Sequence, residues 1–209
     1  MSLKKFSLLL REILFQGFFR VDRFHIQHER FDGTLSPVYT RELFYRSANT
    51  VGVLLFDPQH DKVVLVEQFR IAPAAAGAHP WLKEIVQGIA ASNETLEQAA
   101  HRQALKETGC RVQVLLPIAN YFPCPGGTSE YVHLFVGRIT APSAEALAQA
   151  NNENGDIQVH VLDAAHAISL LYADEIHDAQ TLLALQWFTT HHTDLRSRWL
   201  VSDVGTPII

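Results

Sequence analysis

The alternation of apolar and polar residues near the start of the chain predicts a small antiparallel sheet. Between Phe15 and Arg46 the two kinds of residue alternate, as in Phe19-Arg-Val-Asp-Arg-Phe-His-Ile, and Asp32-Gly33 is a strong hairpin signal. These strands carry too little apolar mass for a core of their own. We therefore expect them to pack on the main domain or on a second copy of the chain, which makes the protein a candidate dimer.

A hairpin of core strands follows this sheet. Val51-Gly-Val-Leu-Leu-Phe and Val63-Val-Leu-Val-Glu-Gln-Phe-Arg are rich in β-branched and aromatic residues, and turn residues lie between them. An Ala/Pro/Gly-rich stretch at 72–78 predicts a loop. Further strands are predicted, in chain order, at 80–86, 112–116, 118–122, 131–139 and 157–162.

Three helices complete the predicted order of elements. Thr95 and Gln98 fit a capping box, residues 96–106 contain no Gly or Pro, and Gly109 lies where a left-handed C-terminal residue belongs. Two more helices are predicted at 164–173 and 179–192. The pattern predicts an α/β (α+β) protein with an N-terminal β-domain at 1–46 and a main domain at 47–209.

Composition narrows the class of protein. The 209 residues suffice for one full domain and a small appendage. The formal charge of −5 argues against binding of nucleic acid or anionic membranes, and no apolar stretch reaches the roughly 18–20 residues of a membrane span. The two cysteines fit a reducing cytoplasm, and Arg11 interrupts the apolar start too early for a leader peptide, so a cytoplasmic location is expected.

Two polar side chains continue the apolar stripe of the first long helix. At 100° per residue, Gln103 and Glu107 fall on the same face as Leu96 and Ala100. A buried carboxylate needs a partner. That partner is either Arg102 or a backbone amide, or else a hard divalent cation that also binds a phosphate-bearing substrate. The spacing alone leaves both alternatives open.

The same segment resembles the box motif of the Nudix hydrolases. It reads Gly88-x5-Glu94-x7-Arg102-Gln103-Ala104-Leu105-Lys106-Glu107-Thr108-Gly109-Cys110, where the family has G-x5-E-x7-R-E-U-x-E-E-x-G-U with U aliphatic. The likeness extends over nearly the whole chain and is closest to the ADP-ribose pyrophosphatase branch. It includes Gly17-Phe18-Phe19, Arg41-Glu42, Glu67-Gln68-Phe69-Arg70-Ile71 and Pro125-Gly-Gly-Thr-Ser-Glu130.

The resemblance implies a fold, a cofactor and a reaction. The fold is an α/β/α sandwich around a mixed sheet, with the small β-domain exchanged between the subunits of a homodimer. The cofactor is Mg²⁺ or Mn²⁺, with metal positions at the Gln87 carbonyl, Gln103 and Glu107. The reaction is attack of water on the pyrophosphate of ADP-ribose, or of a related nucleoside-diphosphate sugar, which in ADP-ribose releases AMP and ribose 5-phosphate.

Residue by residue, the resemblance also implies site positions. The catalytic candidates are Glu107, Glu153 and Arg102. The substrate-binding candidates are Phe18, Arg41, Glu42, Arg70, Cys124, Glu130 and Lys106. Phe18 corresponds to an aromatic residue that stacks on adenine from the partner subunit, and arginine suits phosphate because it forms bidentate charge-assisted hydrogen bonds.

Three positions depart from the family pattern. Gln103 and Lys106 stand where the box has glutamates, and Gly155 stands where a third acid is expected.

These departures leave three hypotheses for the function. The first is a hydrolase of weak or altered activity whose ligands have shifted to Glu107, Glu84, Glu94 or Glu153. The second is a non-catalytic binder of ADP-ribose or another nucleotide, in which Lys106 faces the pyrophosphate. The third is a structural relic that contacts a partner protein. Family membership favours the hydrolase.

Overall fold

The computed structural model describes residues 4–46, 49–143, 146–147 and 155–201 and forms two compact units. The described residues of the first unit lie within Met1–Asn49 and Phe122–Tyr131, and those of the second within Thr50–Tyr121 and Val132–Ile209. The sequence predicts a division after residue 46 only, so the inclusion of 122–131 in the first unit is new.

The first unit contains a three-stranded antiparallel sheet in the order β1-β2-β3. Its strands are β1 (Phe6–Gln16), β2 (Arg20–His28) and β3 (Tyr39–Tyr45). The predicted small sheet is therefore present, but its first strand begins well before the alternating pattern does. The alternation rule misses β1 because apolar residues occupy both faces of this strand, as in the run Leu8, Leu9 and Leu10.

The segment 122–131 belongs to the first unit because its backbone pairs with the end of β3. The Phe44 N–H donates to the Gly127 carbonyl (2.8 Å), and the Ser129 N–H donates back to the Phe44 carbonyl (3.1 Å). Such pairing between distant segments leaves no local signal in the sequence.

The second unit is built on a seven-stranded mixed sheet. Its main order is β10-β5-β4-β9-β8, with β6 paired to β5 and β7 to β4; only the β4/β9 pair is parallel. The strands are β4 (Thr50–Asp57), β5 (Lys62–Phe69), β6 (Trp81–Glu84), β7 (Val86–Ile89), β8 (Val114–Tyr121), β9 (Val132–Arg138) and β10 (Ile157–Asp163). The predicted strands at 112–116 and 118–122 are one strand, β8, with a shift in register between Pro117 and Ala119.

Within the described residues, four helices accompany this sheet. They are α1 (Ile71–Ala75), α2 (Leu96–Thr108), α3 (Ala164–Tyr172) and α4 (Ala179–Val201). Three of them, α2 on one face and α3 and α4 on the other, pack against the sheet. The prediction of a loop throughout 72–78 is wrong, since α1 occupies its first part, and α4 extends beyond the predicted end at 192. No helix in the described part of the chain is long and apolar enough to cross a membrane.

The alternation of side chains along β4 explains the layers. Val51, Val53 and Leu55 join a buried cluster with the alanines of α2, whereas Leu54 and Phe56 join a second cluster with α3 and α4. The second unit is therefore an α/β/α sandwich around a mixed sheet, which confirms the predicted fold class.

Candidate active site

Local signals fix both ends of α2 and so determine which side chains face the sheet. Thr95 and Gln98 form the predicted capping box, and Gly109 is left-handed at φ 70°. With these ends set, Gln103 and Glu107 lie on the buried face and are each only 9% exposed. The predicted face is confirmed.

Arg102 ties the loop before α2 to the helix. Its Nε donates to Oε2 of Glu94 (2.9 Å) and its Nη2 donates to the Ile89 carbonyl (3.1 Å). The other oxygen of Glu94 accepts the N–H of Ala91 (2.7 Å), and the hydrogen bond from Arg102 lowers the pKa of Glu94 to about 2. Arg102 is predicted to be catalytic, and the structure engages its guanidinium in these positioning contacts.

Gln103 points its amide nitrogen at a backbone carbonyl. Arg102 Nη1 donates to Gln103 Oε1 (3.0 Å), so Nε2 faces the Gln87 carbonyl at 3.5 Å. The side chain lies over Gly88, where an added Cβ would come within 1.8 Å of Nε2. Glycine at this position is what lets Gln103 lie against the backbone of β7.

Glu107 is a buried carboxylate with an unused oxygen. The carboxylate accepts the backbone N–H of Gln87, while Oε2 has no hydrogen-bond partner among the described residues. Burial raises the pKa of Glu107 to about 7, against the opposing positive charges of Arg70 and Lys106. Both predicted kinds of ordinary partner are present on this face, since Arg102 holds Gln103 and a backbone amide holds Glu107.

A second buried carboxylate, Glu84, lies near Glu107 and forms an ion pair with Arg70. It accepts from Arg70 Nε (2.9 Å) and Nη2 (2.6 Å) and from Gln68 Nε2 (3.0 Å), and it is 2% exposed. Burial raises the pKa of Glu84, and the ion pair with Arg70 opposes this. The sequence predicts Glu84 only as a substitute ligand. The signal for its burial is its spacing of two from Leu82, another buried residue of β6.

The predicted metal positions do come together, with one mismatch. Glu107 Oε2 and the Gln87 carbonyl are oxygens that suit a hard cation, but Gln103 presents nitrogen to this carbonyl. Turning its amide end for end would supply a third oxygen and break the hydrogen bond from Arg102. Only after that turn would the three residues present oxygen alone to a divalent cation, with Glu107 as the single charged ligand. In the described residues, no group of three or more His, Cys, Asp or Glu is arranged to hold a metal ion.

The remaining predicted residues of the second unit are placed as follows. Lys106 is exposed on α2, immediately before Glu107. Gly155 lies in an exposed turn, where an added Cβ has no atom within 4 Å. Glu153 lies outside the described residues.

In the first unit, the aromatic and charged residues that are predicted to bind substrate lie on or next to the three-stranded sheet. Phe18, in the turn between β1 and β2, is 91% exposed. Arg41 is exposed, with its guanidinium over the ring of Tyr39 at 4.9 Å. Glu42 accepts from Arg23 Nη2 across the β2/β3 ladder (3.0 Å).

The other two predicted residues of this unit lie in segment 122–131. Cys124 is exposed and its carbonyl accepts the N–H groups of Gly127 and Thr128, both at 3.0 Å. Glu130 is half-buried, and Oε1 lies 3.9 Å from Nη1 of Arg46. The thiol is therefore at the surface, and the carboxylate faces an arginine.

The α/β/α sandwich and the capped helix α2, with Glu107 on its buried face, agree with the result of a comparison with protein families. A family model for the NUDIX domain matches residues 46–188, so the chain is a member of the Nudix family. Hydrolases of this family generally use divalent metal ions such as Mg²⁺.

Similar proteins match nearly the whole length of the chain. The ADP-ribose pyrophosphatase of Escherichia coli (strain K12) is 38% identical over 193 residues, which is 92% of each chain. The enzyme of the same name from Haemophilus influenzae is 32% identical over 201 residues, 95% of this chain and 92% of that one. The GDP-mannose pyrophosphatase of Escherichia coli (strain SMS-3-5 / SECEC) is 28% identical over 90% of this chain and 97% of its own.

A solved structure agrees on the fold. A crystal structure described as an ADP compounds hydrolase superposes with a TM-score of 0.69 at 19% identity, and covers 93% of this chain and 98% of its own.

Proposed function

We propose that this protein hydrolyses the pyrophosphate of ADP-ribose, or of a related nucleoside-diphosphate sugar, giving AMP and ribose 5-phosphate from ADP-ribose. The observation that carries the proposal is the buried carboxylate of Glu107, which accepts the Gln87 backbone N–H and keeps Oε2 without a hydrogen-bond partner among the described residues. The relatives favour ADP-ribose, because the two named ADP-ribose pyrophosphatases are 38% and 32% identical and the GDP-mannose pyrophosphatase 28%.

In this proposal a divalent cation, Mg²⁺ or Mn²⁺, is held by Glu107, the Gln87 carbonyl and Gln103. When bound, the cation neutralises charge that develops on the phosphate oxygens. Arg102 keeps α2 and the preceding loop in place through Glu94. Glu153 is the candidate acceptor for the proton of the attacking water, on the strength of the family match alone.

Positive side chains orient the substrate. The Nε and Nη2 of Arg70 are engaged by Glu84, whereas Nη1 is not engaged by it and can donate to a phosphate oxygen. Glu84 thus holds the guanidinium in a fixed plane. Lys106, exposed on α2, supplies a second positive charge. In the reaction, the oxygen of water bonds to one phosphorus, and the bridging oxygen leaves with the other phosphate.

The first unit supports the proposal of a homodimer, and the family match alone adds a shared site. Strand β1 is an edge strand of eleven residues, and exposed apolar side chains such as Phe6 and Ile13 line it. A long apolar edge in water favours association, and a second copy of the chain is the occupant that the family match supports. Phe18 would stack on the base bound to the partner, with Arg41, Glu42, Cys124 and Glu130 as the other proposed contacts.

The test is release of AMP from ADP-ribose with Mg²⁺ or Mn²⁺. We expect Glu107→Gln to lower turnover at least about a hundredfold, because it removes the only carboxylate of the proposed ligand set. Glu97→Gln is the matched control, since Glu97 is an exposed glutamate in the first turn of the same helix. Turnover that survives Glu107→Gln would contradict the proposal.

One observation favours a second candidate, a non-catalytic nucleotide binder. The Gln103 amide already satisfies the Gln87 carbonyl, and Lys106 brings a positive charge next to Glu107. A triple variant, Gln103→Glu, Lys106→Glu and Gly155→Glu, separates the two candidates. If only this variant releases AMP, while the parent binds ADP-ribose by calorimetry without metal, the binder is correct.

A further inference from the structure

The start of α4 is attached to the strand segment that carries Gln87. Thr181 Oγ1 accepts the backbone N–H of Ile85 (2.9 Å), and Asp178 Oδ2 accepts Nε2 of Gln87 (2.6 Å). Thr181 is fully buried and Ile85 belongs to the buried cluster that contains α4. These contacts therefore come from the face of the sheet opposite to α2.

In the described part of the chain, the hydrogen bonds to the Asp178 carboxylate all go to one oxygen, Oδ2. Besides Gln87, Oδ2 accepts the N–H of Thr181 (2.9 Å) and its hydroxyl (2.7 Å). The bond to the N–H three residues ahead is that of a helix N-cap. The carboxylate thus caps α4 and holds the side chain of Gln87 at the same time.

The backbone of Gln87 serves the proposed site. Its N–H donates to Glu107, and its carbonyl faces Gln103 Nε2 at 3.5 Å. A shift of Gln87 would displace both the hydrogen bond to Glu107 and the carbonyl oxygen of the proposed ligand set. Small displacements of such groups are costly for catalysis.

We propose that Asp178 is a positioning residue of the hydrolytic site, which acts through the side chain of Gln87. This inference rests on the proposed function. Asp178 contacts neither substrate nor water in the reaction: it fixes the backbone from which the Gln87 N–H and carbonyl project. Because one carboxylate oxygen accepts all three hydrogen bonds, asparagine, which keeps a carbonyl oxygen, can preserve them, although it removes the negative charge that acts on Arg70 and Glu84.

The experiment compares three variants in AMP release, assayed well below their melting temperatures. Asp178→Ala is expected to lower kcat about tenfold with KM changed less than twofold, as for loss of a group that orients a site residue. Asp178→Asn is expected to keep at least half of the parental kcat. Gln87→Met breaks the link and leaves the cap of α4 intact; it is expected to lower kcat as much as Asp178→Ala does.

Two controls make the result decisive. Thr189→Ala removes a hydrogen bond within α4 to the Leu185 carbonyl, away from Gln87, and is expected to leave kcat unchanged. Amide hydrogen exchange at Gln87 gives a readout without turnover: Asp178→Ala should accelerate it and Asp178→Asn should not. Parental kcat in Gln87→Met, or unchanged exchange in Asp178→Ala, overturns the inference. If the parent releases no AMP, the proposed function fails, and the exchange data alone decide the role of Asp178.

Discussion

Gln103 and Glu107 lie one turn apart on the buried face of α2, and they have opposite hydrogen-bonding roles. Gln103 donates towards the Gln87 carbonyl, while Glu107 accepts from the N–H of the same residue and keeps one oxygen unpaired. Arg102 determines the orientation of the amide, because a guanidinium donor requires oxygen to face it. Whether the side chain at position 103 is an amide or a carboxylate therefore determines how many oxygens the site offers.

Gln103→Glu should strengthen metal binding. A carboxylate can accept from Arg102 with one oxygen and leave the other for a cation, which the amide cannot do. We expect Mn²⁺ to bind about tenfold more tightly, measured by calorimetry or by paramagnetic resonance without substrate. Gln158→Glu, on exposed surface of β10, controls for the added charge. Equal affinity in parent and Gln103→Glu would show that position 103 is not a ligand.

The raised pKa of Glu107 makes stability depend on pH. The folded pKa, about 7, exceeds the usual 4.5, so folding favours the protonated form. Protonated Glu107 therefore adds to the free energy of unfolding. This added stability is complete below pH 4.5 and is lost as pH rises through 7, by at most about 3 kcal/mol. In metal-free urea unfolding at pH 4.5 to 8, Glu107→Gln should remove this part of the slope. Parallel curves for parent and variant would contradict the assignment.

At the scale of elements, α2 depends on its own ends. Thr95→Ala removes the side-chain acceptor of the capping box and should lower the free energy of unfolding by about 1 kcal/mol. Thr193→Ala, at an exposed position inside α4, removes no cap and should cause no loss. Urea midpoints of the two variants check the difference; equal midpoints would mean that packing alone holds the start of α2.

The same elements show how much the sequence predicts. The limits of α2 and the inward face with Glu107 follow from signals a few residues apart, so they are predictable. The ion pair between Arg70 and Glu84 depends on the register of β5 against β6. The backbone pairing of 122–131 with β3 joins segments that are distant in the sequence. These features depend on contacts that no local pattern encodes. Strand β1 is missed for a different reason, because its apolar residues face both ways.

At the scale of the whole molecule, the apolar edge strand sets the expectation of a dimer. Strand β1 pairs with β2 on one side only, so in a lone chain its other edge and its apolar side chains face water. Ile13, which is 57% exposed, lies within this strand. A charge there should oppose burial against a second copy, since an unpaired buried ammonium is strongly unfavourable.

We therefore expect Ile13→Lys to shift the protein towards monomers. Light scattering coupled to size exclusion, over a hundredfold range of concentration, measures the change. Leu183→Lys is the matched control, because Leu183 is a similarly exposed apolar residue on α4 and not on β1. If Phe18 acts on the partner's substrate, the monomeric variant should also bind ADP-ribose more weakly, with Glu107 untouched. A monomeric parent, or a dimer that tolerates Ile13→Lys as it tolerates Leu183→Lys, would show that β1 is not the dimer interface.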